Sequence, residues 1–245
     1  MKTRALPLMF CLGIAVGFAQ DTNQATASAV EITAEPSHHL KIDNAYVRAY
    51  SVEVSPQQST LMHHHPYDYV AVSIGAAQVD STTPDGKVKH LVLEDGQVTY
   101  TPAGLVHAAA DRASTPFRNA TIELLQNQGH PVCVKNCGSD PRAKDWPALP
   151  DGAKLIGYGD GFRITEATLK PQQRISTDEP FPHLAILLTD VQARVGPMGE
   201  GGRDMNHAAG ELIFHGGHPD VGLTNLGKQD IRIVEIEFKP LPAKP

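Results

Sequence analysis

The chain carries one pattern twice. "VEVSPQQST" at 52–60 returns as "ATLKPQQRI" at 167–175, so that Pro56-Gln57-Gln58 falls on Pro171-Gln172-Gln173, an offset of 115 residues. The same offset sets "YVR" (46–48) on "GFR" (161–163) and "DYVAVSIGAAQV" (68–79) on "HLAILLTDVQAR" (183–194). At an offset of 114, "GQVTYTP" (96–102) falls on "GELIFHG" (210–216) and "IEL" (122–124) on "IEF" (236–238). Recurrence at a fixed spacing is the mark of one structural unit built more than once. The units are placed at 38–130 and 153–240, with 131–152 as the linker.

Each unit reads as short strands. "AYVRAYSVEV", "DYVAVSIG", "VKHLVLEDG", "QVTYTP" and "NATIELLQ" alternate or run apolar over four to eight residues, and turn-forming "SPQQ", "TTPDGK" and "TPAG" separate them. With 21 Gly and 19 Pro among 245 residues, the chain is rich in turns and shows no convincing long helical period. The expected class is all-β, each unit a double-sheet barrel of the jelly-roll kind. Residues 20–37 are rich in Ala, Thr and Gln and read as a loose lead-in.

Residues 1–19 read as a secretory leader. Lys2 and Arg4 precede the short apolar run "LPLMFCLGIAVGF", and Gly17 and Ala19 put small residues at the −3 and −1 positions of a cleavage site. The expected location is therefore secreted or periplasmic, with no membrane anchor. Removing Lys2 and Arg4 leaves 19 basic against 27 acidic side chains. That balance excludes a basic nucleic-acid footprint. The two cysteines beyond the leader, Cys133 and Cys137 in "PVCVKNCGSD", suit a short-loop disulfide in an exported protein.

Two stretches carry chemistry. In "LMHHHPYDYVAVSIG" (61–75), His63 and His65 are two apart and share one face of a strand, while His64 points to the other. In "GQVTYTPAGLVHAAAD" (96–111), Gly96, Pro102, Gly104, His107 and Asp111 hold fixed spacings. Together these stretches resemble the two motifs of the cupin superfamily. The second matches Gly, five residues, Pro-x-Gly, two residues, His, three residues, with Asp111 where the pattern ends on Asn. The first matches His63-x-His65, with Asp68 in the acidic position seven before Gly75, although only two residues separate it from His65.

The resemblance implies two tandem cupin barrels, the first holding one divalent transition metal on His63, His65 and His107. Asp68 completes the set as a direct ligand, a ligand through water, or a base beside the metal. Tyr69 and His64 are the alternatives at that position, and Tyr69 or Asp111 could orient a neighbouring group. Imidazoles with a carboxylate suit Mn, Fe, Co, Ni, Cu or Zn, and sequence does not choose among them.

The second unit has lost the pattern. At the same offsets His63 falls on Asp178, His65 on Pro180, Asp68 on His183 and His107 on Val221, none of which rebuilds the set. It reads as a structural partner without metal, although His183, His215 and His218 could form a different site. His38 and His39 read as surface residues, Trp146 as an anchor for the linker, and "GPMGEGGRDMNHAAG" (196–210) as a long mobile loop.

Because the cupin fold hosts many chemistries, the resemblance leaves two functions open. One is a small-molecule metalloenzyme of the dioxygenase type, with Asp68 as its catalytic carboxylate. The other is a non-catalytic cupin that binds or senses a small ligand. A monomer or a homodimer is compatible with either.

Overall fold

The computed structural model describes residues 28–125, 131–134, 137, 143–149, 152–197 and 201–241. The leader at 1–19 lies outside the described residues. Strands β1 (Val30–Glu31), β2 (His38–Asp43), β3 (Val47–Val54), β4 (His63–His64), β5 (Tyr69–Ser73), β6 (Ala77–Thr82), β7 (Val88–Leu93), β8 (Val98–Thr101), β9 (Val106–Asp111) and β10 (Phe117–Leu124) build the first barrel. They form two five-stranded sheets, in the orders β1-β4-β9-β6-β7 and β2-β3-β10-β5-β8.

The second barrel contains β11 (Pro131–Val134), β12 (Ala153–Gly159), β13 (Phe162–Leu169), β14 (Arg174–Glu179), β15 (His183–Leu187), β16 (Val191–Pro197), β17 (Arg203–His207), β18 (Leu212–His215), β19 (His218–Asn225) and β20 (Ile231–Phe238). Its sheets run β11-β12-β13-β20-β15-β18 and β14-β19-β16-β17. Two tandem jelly-roll barrels are what the repeated strand pattern predicts.

The duplication is visible in details that the sequence match only hinted at. "YVR" and "IEL" match "GFR" and "IEF" because each set supplies a cross-strand ion pair. Arg48 faces Glu123 across β3 and β10, and Arg163 faces Glu237 across β13 and β20. The matched "PQQ" segments are both turns in which Gln57 (φ 60°) and Gln172 (φ 64°) take the left-handed conformation. In each, the N–H of the following glutamine donates to the carbonyl three residues back.

The two barrels share one core. The β2-β3-β10-β5-β8 sheet packs its outer face on the large sheet of the second barrel, burying Val70, Val72 and Ile122 with Leu184, Ile186 and Ile236. These residues occupy matching positions in the two copies. Charged contacts frame this core: Arg232 bonds to Asp95 of the other barrel and to Glu166 of its own. A second cluster, with Tyr50, Val52, Val79 and Phe117, lies inside the first barrel.

Four sequence expectations change. The lead-in is not loose where it is described. Val30–Glu31 pairs in parallel with His63–His64, and Ile32 and Glu35 are buried. Part of the linker is structural too, since Pro131–Val134 is the edge strand of the second barrel and Cys133 is disulfide-bonded to Cys137. Trp146 lies edge-on to Phe181 and under the Arg163 guanidinium, on the second barrel.

The supposed loop at 196–210 holds the end of β16 and all of β17, which pair with each other, while 198–200 lie outside the described residues. Its glycines permit the strands to meet, for a Cβ on Gly196 would lie 2.5 Å from the Gly202 Cα.

The fourth change is a register slip. Ser59 faces Ala110 as Arg174 faces Thr224, which keeps the offset of 115 at that point. His63, however, faces His107 as Thr177 faces Val221, an offset of 114. One residue is therefore missing from the second copy between these points. The counterpart of His63 is Thr177 rather than Asp178, and His183 matches Tyr69 rather than Asp68. Tyr69 and His183 hold the same place against Glu123 and Glu237.

Candidate metal centre

Strand β4 is two residues long, yet it fixes the centre. It lies between β1 and β9, with His63 directly across from His107. Alternation along the chain then turns His63 and His65 inward and His64 outward. His63 and His65 are each 1% exposed, whereas His64 reaches Glu31 on the outside. The rings of His63 and His107 lie 4.7 Å apart, and the Nε2 atoms of His65 and His107 approach to 3.2 Å.

A fourth imidazole joins them. His38, at the start of β2, lies 4.7 Å from His63 between ring centroids. Nitrogens of His38, His63 and His65 fall within 4.8 Å of one another. The sequence places His38 on the surface; in the structure its side chain is 5% exposed. His39 is exposed as expected.

What brings His38 inward is Glu35, a buried carboxylate from the lead-in. Its Oε2 lies 2.6 Å from His38 Nδ1 and accepts the Ser37 N–H, while its Oε1 accepts the Leu61 N–H. Burial pushes the Glu35 carboxyl up. The bonds to His38, Leu61 and Ser37 more than offset this and hold it below the usual carboxylate range.

A signal for His38 was present in the second copy. His38 pairs with Val52 as Ala153 pairs with Ala167, so the copy that lacks His63 and His107 also lacks His38.

Partners set the ring orientations. His63 Nδ1 lies 2.8 Å from the Leu61 carbonyl, and His107 Nδ1 lies 2.9 Å from Ser81 Oγ. With those nitrogens engaged, the Nε2 atoms are left for the centre. Tyr69 stacks on His65 at 4.2 Å and holds that ring flat against the barrel wall. Burial lowers the pKa values of His63 to about 4, of His107 to about 3 and of His65 to about 2, with the neighbouring imidazoles adding to the shift at each ring. All three are neutral at physiological pH, the state a metal requires.

The donor set fits a metal. His63 Nε2 is buried without a hydrogen-bond partner among the described residues, an arrangement that costs about 1–3 kcal/mol unless something else satisfies the atom. Two nitrogens bound to one tetrahedral ion at about 2.0–2.1 Å lie about 3.3 Å apart. The His65–His107 separation of 3.2 Å matches that spacing.

Asp68 is placed differently from the other predicted residues. Its Oδ2 accepts the Tyr100 hydroxyl and its Oδ1 accepts the Ala103 N–H. Among the described residues, the donors within 4.8 Å of one another are those of His38, His63 and His65 alone; His107 lies beside them, 3.2 Å from His65, whereas Asp68 is absent both from that group and from the lining of the cavity. The short turn after His65 thus leads Asp68 into a bond with β8. Asp111 is buried at the end of β9, where its Oδ1 accepts the Ala113 N–H.

The histidines open into a cavity of about 860 Å³. Val79, Leu91 and Phe117 give it apolar walls, Asn119 and Thr121 add polar groups, and Lys89 stands at the rim. Cys133 and Val134 of β11 also line it, so the second barrel contributes to the wall of the first.

No protein-family model matches the chain, and no curated protein matches its sequence. Solved structures do. AerE from Microcystis aeruginosa superposes with a TM-score of 0.55 at 11% identity, covering 84% of this chain and 99% of that one. A point mutant of Bacillus subtilis oxalate decarboxylase OxdC gives 0.53 at 13% identity, over 85% and 77%. A cupin domain from Bordetella pertussis Tohama I is 28% identical over 36% of this chain and 90% of its own, with a TM-score of 0.34. The fold is a double cupin. At these identities the likeness extends to the fold alone. The buried histidines therefore have to be read from this chain, as a cluster in the first barrel whose donors could hold a metal ion.

Proposed function

We propose that this is an exported double-cupin metalloenzyme. Its first barrel holds one divalent transition metal on His38, His63, His65 and His107 and converts a small organic molecule with dioxygen. The observation that carries this reading is the convergence of four imidazoles, three of them oriented through Nδ1 by Glu35, Leu61 and Ser81. An all-imidazole donor set favours Zn, Cu, Fe or Ni over Mn. An ion held by these residues would supply Lewis acidity or electrons for a reaction with dioxygen.

The protein's own contribution is to bind and exclude water. Leu91 and Phe117 receive the apolar body of the substrate, Lys89 favours an acidic group at the entrance, and Tyr69 fixes His65. A flavonol or catechol-like molecule fits this combination of apolar wall and rim charge.

One observation favours a second reading. Both oxygens of Asp68 accept hydrogen bonds away from the imidazoles, so the carboxylate expected as a base is engaged elsewhere. A non-catalytic cupin that binds a small ligand at the metal would need no base. Elemental mass spectrometry of the purified chain and of His107→Ala, beside oxygen consumption with flavonol and catechol substrates, separates the readings. One ion per chain, lost in the variant, with oxygen uptake supports the enzyme. One ion without uptake supports the binder, and no ion after reconstitution overturns both. Export predicts a mature protein that begins at Gln20, which N-terminal sequencing reads directly.

A further inference from the structure

The second barrel has lost the metal ligands without being filled. Val221 stands where the first barrel has His107, and Thr177 stands at the register of His63. Its interior nevertheless retains a cavity of about 490 Å³. That volume lies within the range of small-molecule pockets, about 300–1,000 Å³. A barrel kept only as a packing partner would gain stability by closing such a space, because each unfilled volume forfeits dispersion contacts.

The lining has a consistent chemistry. Leu187, Val191, Met205, Ile213 and Leu223 make the walls apolar. His183 and His215, a cross-strand pair with rings 5.0 Å apart, share the wall with Glu235. The remaining charge is Arg203 at the rim, which is exposed and makes no ion pair among the described residues. Arg203 faces Val195 as Lys89 faces Ser81, so both cavities carry a cation at the same register of the rim.

We propose that the second barrel binds a small monocarboxylate with an apolar body. The hydrocarbon part fills the space between β15, β16 and β19, and the carboxylate meets the Arg203 guanidinium at the entrance. A single cation above apolar walls favours one negative charge on a greasy molecule, rather than a phosphate ester or a sugar, which would leave polar groups unpaired inside.

Titration calorimetry on the intact chain, with decanoate and with 1-decanol as probes, tests this. Decanoate is expected to bind saturably. Arg203→Gln is expected to weaken it about tenfold, a loss in keeping with one charge-assisted bond. Lys41→Gln, an exposed cation that lines neither cavity, leaves decanoate affinity unchanged, and Leu223→Trp, which fills the cavity, abolishes the Arg203-dependent binding. Decanol binds more weakly and is indifferent to Arg203→Gln. A melting curve on each variant confirms folding, and Arg203→Gln, a surface change, carries the test if Leu223→Trp unfolds. Three results overturn the proposal: no saturable decanoate binding, a loss with Lys41→Gln instead of Arg203→Gln, or equal binding of decanoate and decanol.

Discussion

Glu35 shows how one side chain can create a site from a segment that looks featureless. Its carboxylate bridges the Ser37 and Leu61 amides and presents His38 to the other imidazoles. Glu35→Gln should keep the fold and lower metal affinity about 10–100-fold, as loss of a group that orients a ligand usually does. Competition with a chromophoric chelator measures this, and unchanged affinity would remove His38 from the ligand set. The buried imidazoles also set a pH dependence for the metal-free chain. Unfolded, His63, His65 and His107 take up protons near pH 6.5; folded, they resist until about 4, 2 and 3. Stability is therefore complete above about pH 6.5 and falls as the pH drops, by up to about 1.4 kcal/mol per pH unit for each histidine. A melting temperature that stays flat between pH 7.5 and 5 would contradict this. Asp111 offers a third test. Its Oδ2 is buried without a hydrogen-bond partner among the described residues, whereas Asn225, at the matching position, donates to the Leu169 and Gln229 carbonyls. Asp111→Asn should stabilise the first barrel by about 1–3 kcal/mol, read as a rise in melting temperature. His63, His65 and His107 were legible because their motifs are local. His38 was not, because the imidazoles it joins lie 25 and more residues away in sequence and the Glu35 that turns it inward belongs to no motif.

At the scale of elements, the two left-handed glutamines mark a shared solution to one turn. Gln57 and Gln172 occupy the third position of turns closed by Ser55 and Lys170, where glycine is the unstrained residue. Gln57 is held in addition by its side-chain bond to the Ala113 carbonyl. Gln172→Gly therefore gives the cleaner experiment, with an expected gain of up to about 1 kcal/mol in chemical denaturation. A loss would mean that the glutamine side chain makes a contact worth more than the strain. The strand pattern itself was readable, but the register was not. Strands β5 and β15 are buried on both faces, so neither alternates and a match shifted by one residue scores as well as the true one. The two-residue β1 and β4 carry no period at all, which is why the lead-in looked unstructured.

The whole molecule is held by a face that neither barrel could leave in water. Val70, Val72 and Ile122 on one side meet Leu184, Ile186 and Ile236 on the other, all fully buried. Heating should consequently give a single calorimetric transition despite the two barrels. Ile122→Asp should lower stability by about 4 kcal/mol or more and lower it for both barrels together, since a charge would sit unpaired in the shared core. Two resolved transitions in the parent chain would refute this coupling. The two-barrel plan was visible in the repeat, whereas this face was not, because its residues read as ordinary strand interior. Matching positions meet across the junction, so the contact has the form of a self-complementary pair of subunits joined by a tether. Two separate copies of one subunit must change together, because every substitution appears on both sides of their contact. A tether releases that constraint. One half can keep its imidazoles together while the other carries Ala153, Thr177 and Val221 at the positions of His38, His63 and His107, and ancestry as a symmetric pair becomes the starting point for a division of labour within a single chain.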